Sequence, residues 1–317
     1  QCTHNMKNFK EYLTEAGNTI LADINEIWVG YVLAGNRWYD ADARKQFEKR
    51  IKQASPAAAE DAKGKAEVMA VDFLKWAKKA GYKGKPTQVW WTARPNSMTK
   101  IVGQEVDQAK NPTDVLIRFA DGPANGFLGL SAKATKTKGD IGFKNPGVGT
   151  IDRSLYTSFV STLKGITEDT IRRFDLPPGA ATRKKFLRAN KDIQKQTIEI
   201  GVTTMREFRD ILLKRLLQFD QRALKKYLLT DWMDADVLYP PYIKVTGQGK
   251  KAPYNAVTMD PLKNDKLSAF SKYDIELAPI GNESIGVKAG PKKLMKIRFK
   301  FESEKMASSL KLSGDPW

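Results

Sequence analysis

Asn111-Pro112-Thr113-Asp114 opens an apolar run, and Gly129-Leu130-Ser131-Ala132-Lys133 closes the next one. Between them, Asp121-Gly122-Pro123-Ala124-Asn125-Gly126 is a cluster of turn residues. The two runs therefore read as the arms of a β-hairpin, from Asp114 to Ala120 and from Phe127 to Thr135. Alternate side chains on a strand share a face, so Phe127, Gly129, Ser131 and Lys133 point one way and Leu128, Leu130 and Ala132 the other. Asp114 stands at the start of its strand, where a side chain emerges at the end of the sheet. An acid and an amine at such a rim suit phosphodiester hydrolysis. The carboxylate holds Mg²⁺, which polarises the phosphate and lowers the pKa of a bound water. The lysine orients or deprotonates that water and offsets developing negative charge. Asp114 fits the first role and Lys133 the second. A turn-initiating aspartate and an edge-strand lysine are the plain structural alternatives.

Outward from the hairpin, the apolar spacing changes twice. On the N-terminal side it is helical: Ile20, Ile24, Ile27, Trp28, Tyr31 and Val32, then Phe47 and Ile51 behind a cap at Asp40 or Asp42. A further helix over about 57 to 80 carries Val68, Val71, Leu74 and Trp76. Thr87 to Thr92 reads as a strand, and Ser97 as the cap of a short helix reaching about Ala109. On the C-terminal side, helices run from Ile151 to Phe174 and from beyond Pro177-Pro178-Gly179 to Trp232. In the last of them, Ile198, Phe208, Ile211, Leu212, Leu216 and Phe219 form an expected buried face. Pro240-Pro241 marks a boundary, and strands follow at Tyr242 to Val245, Tyr273 to Leu277 and Leu294 to Phe301. The expected domains are 1–236, a helical region with a catalytic core and helical extension, and 237–317, a β-rich module.

Taken together, Pro112-Thr113-Asp114 and Ser131-Ala132-Lys133 resemble the two halves of the PD-(D/E)XK signature of the restriction-endonuclease-like nucleases. That family pairs a Pro-Asp-type start of one strand with an acid-x-Lys on the next. Here one residue is inserted in the first half, and serine replaces the acid in the second. The resemblance spans roughly 57 to 163. It implies an α+β fold with a restriction-endonuclease-like mixed sheet core flanked by helices, plus helical additions and the C-terminal β module. It also implies a DNA endonuclease using Mg²⁺ or Mn²⁺, with Asp114 as metal ligand and Lys133 as catalytic lysine. A hydroxyl is a poor substitute for a carboxylate at a hard cation, so Ser131 needs a helper acid. Members of the superfamily often recruit one from a neighbouring helix. Glu67, in a stripe with Val71 and Leu74, and Glu105, ahead of Asp114, are the two candidates for completing the metal shell.

Composition favours the same substrate class. The chain carries 54 Lys+Arg against 36 Asp+Glu, a formal charge of +18. Such an excess suits a polyanion, whose condensed counterions are released on binding. Lys136, Lys138 and Lys144 lie in a Gly/Pro-punctuated segment beside the hairpin, and Arg183, Lys184, Lys185 and Arg188 crowd one helix; both are candidate phosphate contacts. The one Cys and one His are Cys2 and His4. Met6 reads like a natural start, which would leave the working chain with neither residue type. Zinc sites and Cys or His catalysis then drop out. No stretch reaches the ~20 apolar residues of a membrane helix. The expectation is an intracellular, cytoplasmic protein with duplex DNA as partner, a homodimer being an open option. The opening also looks like those of tailed-phage proteins. The rival expectation is a non-catalytic nucleic-acid-binding or virion structural protein that keeps the fold.

Overall fold

The computed structural model describes residues 9–94, 96–108, 110–136, 143–233, 235, 239–261, 265–301 and 310–317, with side chains from residue 19 onward. The chain forms two compact units, one from 12–141 with 234–264, the other from 1–11, 142–233 and 265–317. The expected boundary at 237 is therefore replaced by a different partition. Residues 242–259 pair with the first sheet, because the hairpin strand Phe127–Thr135 takes its second neighbour from there.

The first unit contains α1 (Phe9–Leu33), α2 (Ala41–Gln53), α3 (Pro56–Lys79) and α4 (Ser97–Val102), with strands β1 (Lys83–Trp91), β2 (Val115–Asp121), β3 (Phe127–Thr135), β4 (Tyr242–Gln248) and β5 (Asn255–Met259). The strands lie in chain order in one mixed sheet. Only β3 and β4 run parallel; every other neighbouring pair is antiparallel. Asp40 caps α2 by accepting from the Asp42 amide at 2.8 Å, and Ser55 with Pro56 starts α3.

The core lies between α1, α3 and one face of the sheet. Val29 and Leu33 join Ala66, Met69, Ala70, Phe73 and Ala77, and all pack with Val115, Ile117, Leu128, Leu130, Ile243 and Val245. The buried stripe of α3 is thus largely alanine. Val68, Val71 and Leu74 do not define it, and Val71 is 51% exposed. Small side chains let the helix backbone settle close to β4. A Cβ built on Gly247 would lie 2.8 Å from Lys65 Cβ and 2.9 Å from Met69 Sδ. On the opposite sheet face, Leu116 and Phe127 pack with Met98 and Val106.

The second unit contains α5 (Val148–Leu155), α6 (Phe159–Arg173), α7 (Ala180–Ala189), α8 (Lys191–Leu216), α9 (Gln221–Tyr227) and α10 (Asp265–Lys272). Its sheet is β6 (Ile275–Ile280), β7 (Ser284–Ala289), β8 (Lys292–Phe301) and β9 (Leu310–Pro316), antiparallel throughout. In β8, Met295, Ile297, Phe299 and Phe301 are buried and Lys296, Arg298 and Lys300 partly exposed, while Leu294, on the same side as the basic residues, is buried as well. Phe208 and Phe159 close on Phe299, with ring centroids 6.1 and 5.6 Å away. Ile198 and Ile211 of α8 face outward instead of joining this core. Among the described residues, no helix is long and apolar enough to cross a membrane.

Two glycine substitutions test the close helix–sheet approach. Gly247→Ala is expected to cost about 1–3 kcal/mol by overpacking against α3. Gly165→Ala, in the open on α6, is expected to be neutral or to stabilise by up to about 1 kcal/mol. Urea unfolding of both variants checks this; equal midpoints would refute the tight contact.

Candidate active site

The loop before β2 is built to fix Asp114. Asn111 Oδ1 accepts from the Thr113 amide at 3.1 Å and from the Thr113 hydroxyl at 2.7 Å. The Asn111 side-chain amide donates to the Pro240 carbonyl at 3.1 Å, tying this turn to the entry of β4. Thr92, just past β1, holds the same turn through its hydroxyl, which donates to the Thr113 carbonyl at 2.5 Å. Asp114 then joins the hairpin through its own backbone, its amide donating to the Leu130 carbonyl at 2.9 Å.

The carboxylate of Asp114 turns onto β3. Oδ2 accepts from the Ala132 amide at 2.7 Å and from the Ser131 hydroxyl at 3.3 Å, and Lys133 Nζ stands 3.9 Å away. The hairpin register, with Val115 opposite Leu130, accounts for this convergence. Lys133 is mostly exposed and Ser131 fully buried, so the amine faces solvent while the hydroxyl lies beneath it. Burial pushes the Asp114 carboxyl up from its ordinary range, and Lys133, the two hydrogen bonds and Lys244 pull against that.

The structure brings a second acid to this place, Glu26 of α1. Its Oε2 accepts from Trp91 Nε1 at 3.1 Å. Burial pushes its carboxyl up to about 8, the nearby charge of Asp114 adds to the rise, and Trp91 and Lys133 oppose it. Asp23, one turn earlier, also raises it, although Arg50 engages Asp23 at 2.7 Å. Glu26 and Asp114 are thus two part-buried carboxylates that repel one another beside a lysine. Sequence reading missed Glu26. Its only signal is an acid on the same helical stretch as the apolar Ile24 and Ile27.

Neither of the two expected helper acids is among the charges that bear on Asp114. Glu67 is exposed and accepts from Trp28 Nε1 at 3.3 Å, because the alanine stripe of α3 turns it outward. Glu105 lies past the end of α4, which stops at Val102, in an exposed loop.

A second lysine, Lys244 of β4, was also missed. The parallel register sets Lys244 level with Ser131, and Thr246 level with Lys133. Lys244 is 3% exposed, and its charge bears on Asp114. The Thr246 hydroxyl is buried and has no hydrogen-bond partner among the described residues. Buried polar atoms are seldom left so.

The phosphate-contact candidates are spread over both units. Lys136 is exposed directly after β3, and Lys138 lies outside the described residues. Lys144 belongs to the second unit, where its amide donates to the Trp232 carbonyl at 2.9 Å. On α7, Lys185 and Arg188 are exposed and Lys184 partly so. Arg183 turns inward, its Nε buried near Thr170 and Leu187 without a hydrogen-bond partner among the described residues.

No known protein family matches the chain, and no curated protein matches it in sequence.

The raised Glu26 pKa fixes a sign. The folded protein keeps this proton at pH values where the unfolded chain, with an ordinary value of 4.5, has lost it. Stability attributable to the group therefore falls as pH rises from 4.5 to about 8. Glu26→Gln removes that loss. In chelator, the variant is expected to melt a few degrees above the parent at pH 9 and level with it at pH 4.5. A difference independent of pH would show that Glu26 is not held protonated.

Proposed function

We propose that the protein is a metal-dependent DNA endonuclease built on a restriction-endonuclease-like core. The observation that carries this reading is the meeting of Asp114, Lys133 and Glu26 at one end of the central strands of the mixed sheet. The parallel β3–β4 pair beside an antiparallel hairpin, with helices over the core face, supports the same fold assignment.

The donor set fits a hard divalent cation. Two carboxylates and a hydroxyl offer oxygen atoms, and among the described residues no hydrogen bond falls on Asp114 Oδ1 or Glu26 Oε1. No cluster of three or more acidic, imidazole or thiol side chains is found among the described residues. Mg²⁺ commonly takes one or two carboxylates and completes its shell with water and phosphate oxygens. Asp114, Glu26 and Ser131 would hold Mg²⁺ or Mn²⁺. Such an ion supplies polarisation of the scissile phosphate and a water of lowered pKa.

The protein's own groups do the rest. The Ala132 amide and the Ser131 hydroxyl hold the Asp114 carboxylate in one orientation, so it needs no rearrangement when charge develops. Lys133 presents its ammonium to solvent on the same side, where it orients the attacking water and offsets charge on the phosphate. Lys136, at the end of the same strand, and the excess of 54 basic over 36 acidic residues favour a duplex backbone as the substrate. A second reading, a DNA-binding protein without cleavage, draws on Ser131, which leaves the hairpin one acid, Asp114, where the family pattern has two.

Plasmid nicking with Mg²⁺ or Mn²⁺ separates the readings. Asp114→Ala, Lys133→Ala and Glu26→Ala are each expected to lose about 100-fold or more in rate with DNA binding kept. Glu67→Ala and Glu105→Ala are expected to cut like the parent. Binding without nicking by the parent protein would sink the nuclease and leave the second reading.

A further inference from the structure

Lys244 has no part in the reading above, yet it is the most deeply buried ammonium at the site. It lies on the strand next to Ser131, level with it in the register, and 3% exposed. Partners in a parallel register share a face, so Lys244, Ser131, Lys133 and Thr246 line one side of the sheet. Burying an ammonium is costly unless opposite charge and hydrogen bonds compensate it. Asp114 is one of the groups it meets.

Two ammoniums, Lys133 and Lys244, therefore bear on the Asp114 carboxylate, and the charge of Asp114 in turn bears on Glu26. One divalent cation can be held by the two acids. A second would have to sit against a fixed positive charge, where Ser131 offers only a hydroxyl. Two-metal phosphodiester centres use their second ion to offset charge on the leaving oxygen. Here a built-in ammonium already stands in the neighbouring row.

We propose that Lys244 is a positioning residue acting through Asp114, its buried ammonium taking up part of the carboxylate's charge so that the centre accepts one divalent cation and not two. This rests on the metal-dependent reading of the site. Its consequence is a split that mere loss of structure would not give. Removing the ammonium strengthens cation binding, because a repelling charge is gone, while turnover falls, because the carboxylate loses its fixed partner.

The test is Mn²⁺ titration of the full chain by calorimetry, alongside plasmid nicking. The parent is expected to bind one Mn²⁺ per chain. Lys244→Met is expected to bind it about threefold or more tightly, or to take a second ion, and to nick at least about tenfold more slowly. Lys244→Arg, which keeps the charge, is expected to match the parent in both. Ser131→Asp is expected still to bind one ion, because the new acid stands level with Lys244; the double variant with Lys244→Met is expected to bind two. Two ions in the parent or in Ser131→Asp, no ion in the parent, or unchanged affinity and stoichiometry in Lys244→Met would each overturn the proposal. Ser131→Asp keeps the test decisive should Lys244→Met not fold. A parent that binds one Mn²⁺, with tighter binding in Lys244→Met but no nicking in either, would sink the nuclease reading and leave this inference standing.

Discussion

The parallel pairing of β3 with β4 is the constraint on which the site depends. Parallel neighbours cannot be joined by a tight turn; they need a crossover. Here 136–241 makes that connection, including α5 to α9. When the chain returns, the Pro241 carbonyl accepts from the Gly129 amide at 2.8 Å and the Pro240 carbonyl from Asn111. The entry of β4 therefore holds both the start of β3 and the turn that presents Asp114. The same register then carries Lys244 to Ser131 and Thr246 to Lys133. One strand pairing sets the backbone of the candidate site and half of its charges.

Electrostatics explains why these groups are held and not merely adjacent. A carboxylate brought out of water loses stability in its charged form, and a second one nearby makes matters worse. Burial shifts both Glu26 and Asp114 upward, and the charge of Asp114 adds to the rise at Glu26. Each has local compensation: an indole N–H for Glu26, and an amide, a hydroxyl and lysines for Asp114. Compensation is partial, and the remaining tension is relieved by a proton or by a cation. A fold has no need of such a pair for stability, since an uncharged residue at 26 would carry no charge to desolvate. Perturbed carboxylates of this kind cluster at functional sites, which is the physical ground for treating this end of the sheet as one.

What the sequence made legible follows from the distance over which each feature is encoded. The hairpin and the placing of Asp114 against Lys133 are written within some twenty residues, in turn chemistry and strand alternation, and both strands form where that pattern puts them. The caps at Asp40 and Ser55 are equally local. Glu26 and Lys244 lie far from the hairpin in sequence, and no local signal announces that a helix and a late strand return to it. The choice of Glu67 failed for a different reason. A stripe of larger apolar residues, Val68, Val71 and Leu74, suggested the buried face of α3, whereas alanines allowed a closer approach to β4 and took that face instead. The domain boundary went astray likewise: Pro240-Pro241 does interrupt the chain, but it introduces a strand of the earlier sheet.

The serine at 131 then has a reason that the local motif could not supply. Its side chain is fully buried and donates to Asp114, a task a carboxylate could not perform without a proton. A third acid at that position would add negative charge to a place where Asp114 already raises Glu26. On the proposed reading, the helix-borne Glu26 and the strand-borne Ser131 are complementary. The oxygen donor that the hairpin lacks arrives from α1, and the hydroxyl orients the donor that the hairpin retains. On that reading, the hydroxyl at 131 and the acid at 26 form one arrangement, in which the second oxygen donor comes from α1 and not from the hairpin.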